Sequence, residues 1–156
     1  MIKNYVMLIT GILVFAADQT AKFFVVHVLH PHESIPIIKN LFHITLVLNA
    51  GCAFGLMKGL PNALFLVVSF AVVVFFIFLL GTFRGHHVLL RLALMLLVAG
   101  SLSNLVDRIR FGYVIDFLDF RIWPVFNLGD TAITCGAGLI VLSMIKVKSK
   151  KSKGKS

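Results

Sequence analysis

The chain has 156 residues, is 59% hydrophobic and only 13% charged, and carries a formal net charge of +9. Soluble domains run at roughly 45–50% apolar and about 25% charged, so this composition, with a mean hydropathy of +0.99, excludes an ordinary soluble domain and predicts a membrane protein. The basic balance is no nucleic-acid signal, because it sits mostly in one C-terminal tail and no aromatic–basic interleaving accompanies it.

In chain order, the first predicted span is Tyr5–His27. Its opening, Lys3 and an apolar run to Phe15-Ala16-Ala17, has the look of a signal peptide. The apolar character continues to Val26 through Asp18, Gln19 and Lys22, so an uncleaved helix is the better reading. The connection 28–61 starts polar with His30-Pro31-His32-Glu33-Ser34. Phe42, Ile44, Leu46 and Leu48 then alternate with His43 and Thr45, which predicts one or two strands. Asn49–Gly55 is a turn-rich close, and Phe54–Leu60 reads as a short interfacial helix. Asn62–Phe83 and Val88–Val106 are the second and third spans, each within the about 17–25 apolar residues a crossing needs. The connection 107–130 reads extended, with strand-like pieces at Tyr113–Phe120 and Arg121–Phe126 interrupted by Pro124. Thr131–Val147 is the fourth and shortest span. Residues 148–156 form a lysine-rich tail, expected to be disordered and held near anionic headgroups. The whole reads as one domain over 1–147: an all-α integral membrane protein of four transmembrane helices with a small β-rich extracytoplasmic cap, with Trp123 and the phenylalanines at headgroup level.

Four spans put both termini on one side. Nine positive residues (Lys3, Arg84, Arg91 and the six lysines from Lys146 to Lys155) lie at the termini and the second connection, against five in the first and third connections. The positive-inside rule then makes the termini cytoplasmic and the two longer connections external.

Five of the six acidic residues, Asp18, Asp107, Asp116, Asp119 and Asp130, lie in or beside the spans. Carboxylates there cost a few kcal/mol to insert and are functional candidates. Asp18 lies about 20 Å into a core of roughly 30 Å, so all five fall at the outer face. Each has a plainer reading. Asp18 can pair with Lys22 one turn on, Asp130 can cap a helix, Asp107 can pair with Arg108, and Asp119 can be solvated or hydrogen-bonded within the cap. Asp116, between Tyr113-Val114-Ile115 and Phe117-Leu118, is expected to have a raised pKa. The plain readings leave the one-sided clustering unexplained. Two adjacent carboxylates can share a proton, one activating water and the other donating to a scissile carbonyl. Asp116 and Asp130, 14 residues apart, need a folded-back loop to meet.

Rival chemistries are weak. The six histidines form no helical pair with a third metal ligand, and there is no glycine-rich phosphate loop or serine elbow. Cys52 and Cys135 read as small apolar fillers. Gly81 and Gly85, or Gly136 and Gly138, read as helix-contact or loop glycines.

Five segments in order, Asp18-Gln-Thr-Ala-Lys22, Asn49-Ala-Gly-Cys-Ala-Phe-Gly55, Ser103-Asn104-Leu-Val-Asp107-Arg108, Val114-Ile-Asp116-Phe117 and Phe126-Asn127-Leu-Gly-Asp130, resemble the lipoprotein signal peptidases (signal peptidase II), bacterial membrane aspartyl proteases. The resemblance implies that Asp116 and Asp130 are the catalytic dyad, and that Asn49, Gly51, Asn104, Asp107, Arg108, Asn127, Asp18 and Lys22 bind substrate or brace the site. It also implies a prolipoprotein signal peptide with a lipidated cysteine as partner, cleaved just before that cysteine, with no metal or other cofactor. A monomer in contact with membrane lipids is expected, in the bacterial cytoplasmic membrane, with the active site on its outer face. Asp130, at a helix N-terminus, is expected to be the more readily ionised. Ser103 and Gly129 depart from the family's usual glycine and alanine, and are expected to affect only fine packing. Ala50-Gly51-Cys52 is similar to the end of a lipobox, but Asn49 stands in place of its leucine. The alternative to a protease is a proton- or ion-coupled transporter using buried aspartates, or a scaffold whose aspartates only pair with Lys22 and Arg108.

Overall fold

The computed structural model describes residues 2–51, 62–83 and 88–153, with side chains for those between 5 and 145. Its elements are α1 (Ile2–Val28), β1 (Ser34–Ile38), β2 (Phe42–Asn49), α2 (Asn62–Thr82), α3 (Val88–Phe111), β3 (Val114–Asp119) and α4 (Leu128–Lys153). The expected helix over Phe54–Leu60, Cys52 and Gly85 lie outside the described residues.

All four helices are long and apolar enough to cross a membrane. Their lipid-facing character follows from composition: Tyr5, Phe24, Val67, Phe78 and Met144 are all more than half exposed, which only a hydrocarbon surround makes favourable. α3 differs. Half of its spanning window is buried, against 6% in α2, because α1, α2 and α4 all pack on it. Small residues make that close approach possible. A Cβ on Gly100 would run into the Gly129 carbonyl and lie 2.9 Å from Ile133, and one on Gly136 would lie 2.7 Å from the Ala93 carbonyl. Gly81 and Gly138 face open space and are not contact glycines. Gly100→Ala is expected to push α4 off α3 and cost about 1–3 kcal/mol, as overpacking does. A thermal midpoint equal to that of the parent would refute this.

The sheet has the order β1-β2-β3, antiparallel throughout. β1 and β2 form a hairpin whose turn places Asn40 at φ 62, a conformation asparagine tolerates. β3 follows α3, so the sheet caps the end of the bundle where α1 and α3 finish and α4 begins. Leu29, Leu46 and Ile115 form a small core between the hairpin and β3. The pairing of β2 with β3 slips between Ile44 and Val47, a bulge that bends the sheet. The expected strand over Arg121–Phe126 is absent: only Phe126 pairs, in a single bridge to Leu118. Pro124 has no N–H to give a ladder, and Arg121 sits at φ 64. α4 also runs on to Lys153, where a disordered tail from Lys148 was expected. Lysine is a good helix former, so nothing local stops the helix short of Lys153.

Candidate active site

The site is built from α1, α3, the cap and the first turn of α4. Asp18 and Lys22 are one turn apart on α1, share a face, and are both fully buried. The Lys22 ammonium has three N–H groups, and three acceptors meet them: Asp18 Oδ2 at 2.7 Å, Asp107 Oδ2 at 2.8 Å and Asn104 Oδ1 at 2.9 Å. The last two side chains are i, i+3 on α3. Asp107 therefore pairs with Lys22 and not with its neighbour Arg108. Arg108 is half-buried and lies within electrostatic reach of Asp130, Asp116 and Asp107.

Asp18 does more than the simple pairing read for it. Its Oδ1 accepts Gly129 N–H at 2.9 Å, and its Oδ2 accepts Ser103 Oγ–H at 2.6 Å. Gly129 N–H is one of the free donors at the start of α4, so a carboxylate from α1 caps that helix and meets its positive end. Asn127 supplies the other cap. Its Oδ1 accepts Asp130 N–H at 2.8 Å, while Asn127 N–H points to Asp130 Oδ2 at 3.4 Å. This is a reciprocal capping box with an aspartate at its third helical position. The helix start thus fixes where the Asp130 carboxylate stands.

Asp116 arrives from β3. It is 2% exposed, and its two oxygens accept the Asn49 amide at 2.9 Å and the Asn127 amide at 2.6 Å. Gly51 has φ 100 and donates its N–H to Asn49 Oδ1 at 2.9 Å. That turn aims the Asn49 NH₂ at Asp116. Asn104 completes the circuit, donating to Asp130 Oδ1 at 2.8 Å and accepting from Asn127 at 3.1 Å. Asn127 thus contacts both carboxylates. Burial pushes the Asp116 carboxyl up to about 7, with the Asn49 and Asn127 amides opposing and the Asp130 charge adding.

Asp116 and Asp130 line one cleft of about 530 Å³, together with Asn49 and Ala50 at the end of β2 and with Trp123, Pro124, Val125 and Phe126 before α4. A second cavity of about 490 Å³ adjoins it at Asp130, Trp123 and Phe126, walled on α4 by Thr131, Thr134 and Cys135. Cys135, read from the sequence as a small apolar filler, is a free and exposed cysteine there.

The signal peptidase (SPase) II family model matches residues 10–146 of the chain. The chain belongs to the signal peptidase II family. It is 46% identical over 134 residues to the lipoprotein signal peptidase of Halothermothrix orenii, covering 86% of this chain and 91% of that one. It is 42% identical over 138 residues to that of Moorella thermoacetica, covering 88% and 91%. Among solved structures it is similar to a bacterial membrane enzyme determined by the in meso method at 2.3 Å resolution. There the TM-score is 0.83 at 27% identity, over 94% of this chain and 91% of that one. A second such enzyme, at 1.9 Å resolution, gives a TM-score of 0.79 at 26% identity over 90% and 93%. Signal peptidase II membership makes the chain a protease held in a membrane by several helices.

Of the two departures from the signal peptidase II pattern, Ser103 adds a hydrogen bond and Gly129 bears on packing. Ser103 donates to Asp18, and a Cβ on Gly129 would lie 3.3 Å from the same Asp18 oxygen and 3.0 Å from Asn127 Oδ1. Gln19 is not among the site residues the sequence points to, yet it donates to Ser103 Oγ at 2.9 Å and Asp107 Oδ1 at 2.8 Å. Its one signal was a polar amide beside Asp18 within a span.

Proposed function

We propose that the chain is an aspartic endopeptidase that removes signal peptides from prolipoproteins, cutting just before a diacylglyceryl-modified cysteine. The observation that supports this is that Asp116 and Asp130, from two different elements, line one cleft with Asn127 bonded to both residues. Two carboxylates on one cleft and within electrostatic reach of each other can share one proton, and their titration then belongs to the pair. We assign the resting proton to Asp116, and the role of base to Asp130 over the positive end of α4. A water between them gives its proton to Asp130 as it attacks the scissile carbonyl carbon, while Asp116 donates to the carbonyl oxygen. Proton transfer to the leaving nitrogen then breaks the C–N bond. The Asn49 amide and Arg108 are the groups suited to hold substrate backbone or developing charge. Lys22, Asp18 and Asp107 brace the site from behind. By the positive-inside rule the cap and cleft face the outside of the cytoplasmic membrane and the termini the inside. The transporter alternative is not favoured by the family match.

The test is cleavage of a lipid-modified precursor peptide by the purified chain in lipid, read by mass spectrometry. A new N-terminus at the lipidated cysteine is expected, and cleavage elsewhere or none refutes the reading. A pH series adds a second check. The sign follows from Asp116 being protonated below about 7, so the rate is expected to fall as pH rises through about 7. A flat profile between about pH 6 and 9 would count against a proton-sharing pair.

A further inference from the structure

Asp119 belongs to none of the contacts above, yet it is only 5% exposed. Its Oδ2 accepts Thr45 Oγ–H at 2.7 Å and Arg121 Nη1–H at 2.9 Å, and its Oδ1 accepts Arg121 N–H at 2.8 Å. The Thr45 hydroxyl is itself linked to Ser34 Oγ at 2.8 Å. Burial works against the charge, but the hydrogen bonds from Thr45 and Arg121 outweigh it and hold the carboxyl below its usual range. What the carboxylate holds is a tight turn. Arg121 has φ 64, and Ile122 N–H bonds across it to the Phe120 carbonyl at 2.7 Å. Such a γ-turn is strained for any residue but glycine.

Immediately beyond the turn stand Ile122 and Trp123, 92% and 67% exposed. Trp123 lines both the cleft that holds Asp116 and Asp130 and the adjoining apolar cavity, so it forms part of the wall between them. The segment returns to the sheet at Phe126, which pairs with Leu118 and stacks on Phe120. The two ends of the wall are therefore pinned, and between them the Asp119 carboxylate holds the Arg121 backbone. A large, rigid aromatic surface at a cleft edge offers contact area at little ordering cost.

We propose that Asp119 is a positioning residue for substrate: through the turn at Arg121 it sets Trp123 at the cleft wall, where the indole contacts the apolar part of the substrate beside the scissile bond. This rests on reading the cleft as the proteolytic site. Because the contact is made equally before and during reaction, its loss appears in KM and not in kcat.

The experiment uses the full chain in lipid with a lipidated precursor. Trp123 is the one tryptophan in the sequence, so its emission reports this wall alone. Asp119→Ala is expected to raise KM roughly tenfold, leave kcat within about twofold, and make Trp123 emission more readily quenched by acrylamide. Trp123→Ala should raise KM by a similar factor, and the double variant should be no worse than either single one. Adding Arg121→Gly to Asp119→Ala should restore both KM and emission, because glycine adopts the turn without the clamp. Unchanged KM in either single variant, additive effects in the double, or unchanged emission in Asp119→Ala would overturn the proposal. If Asp119→Ala does not accumulate folded, Thr45→Val removes one donor and should shift KM and emission in the same direction; no shift overturns it. Should the parent chain cleave no precursor, the functional reading fails by itself. The present proposal then stands or falls on whether added precursor changes Trp123 emission.

Discussion

Asp116→Asn and Asp130→Asn are each expected to lower precursor cleavage by about 10²–10⁴-fold, the range that general acid–base groups contribute. Asparagine keeps the shape of each side chain and can still accept one of the amide hydrogen bonds from Asn49, Asn127 or Asn104, so both variants should accumulate in membranes like the parent. It cannot take or hold the shared proton. The two carboxylates act as a unit, so the double variant should be little worse than either single one. Cleavage within about tenfold of the parent in either variant would sink the dyad. A stability measurement accompanies this one. Because burial raises the Asp116 carboxyl to about 7 from its ordinary 3.8, the folded protein binds that proton more tightly than the unfolded chain. The parent therefore loses stability as pH rises between those values. Asp116→Asn has no such loss, so its thermal midpoint should move upward relative to the parent from pH 4 to pH 8. A difference that stays constant with pH would show that Asp116 is not the titrating group.

Lys22→Met is the second large effect. The Lys22 ammonium is its cluster's positive charge, and it faces Asp18 and Asp107 with 1% of its surface exposed. Breaking a buried pair by removing one partner costs about 3–5 kcal/mol, because the remaining charge is left uncompensated. Here two carboxylates lose their counter-charge, and Asn104 loses one of the two donors that meet its side-chain carbonyl oxygen. Asp18 also caps the helix that carries Asp130, so a shifted Asp18 carries the damage to the cleft. Both a lower thermal midpoint and loss of cleavage are expected. Adding Asp107→Asn removes one of the stranded charges and should recover part of the stability without the activity. A Lys22→Met protein with the parent's midpoint would show that this cluster carries no structural weight.

The spans were legible because crossing a membrane is a local property of composition: about 20 apolar residues suffice wherever they occur. The predicted starts and ends agree with the helices to within about three residues at most ends, but α3 runs on from Val106 to Phe111 and α4 from Val147 to Lys153. Of the cap strands, β2 followed from the alternation over Phe42–Leu48, and the strand carrying Asp116 from the extended, strand-like run Tyr113–Phe120. The segment 121–126 did not, because its apolar residues look strand-like while its backbone is set by Pro124 and by the Asp119 clamp. Site residues were legible one by one through the cost of placing carboxylates, a lysine and amides near hydrocarbon.

Their partners were not legible in that way. Asp107 sits beside Arg108 in the chain but bonds Lys22, 85 residues away, and Asp18 caps Gly129 across a separation of 111 residues. Hydrogen bonds depend on distances of about 3 Å, which helix packing sets and residue order does not. The sequence by itself determined that this is a four-span membrane protein with costly acidic groups gathered at one end. The tertiary structure decided which of them share a cleft: the glycine-lined contact of α3 with α4 and the capped start of α4 place Asp130 on the cleft that Asp116 also lines, with Asp119 in the turn beside it.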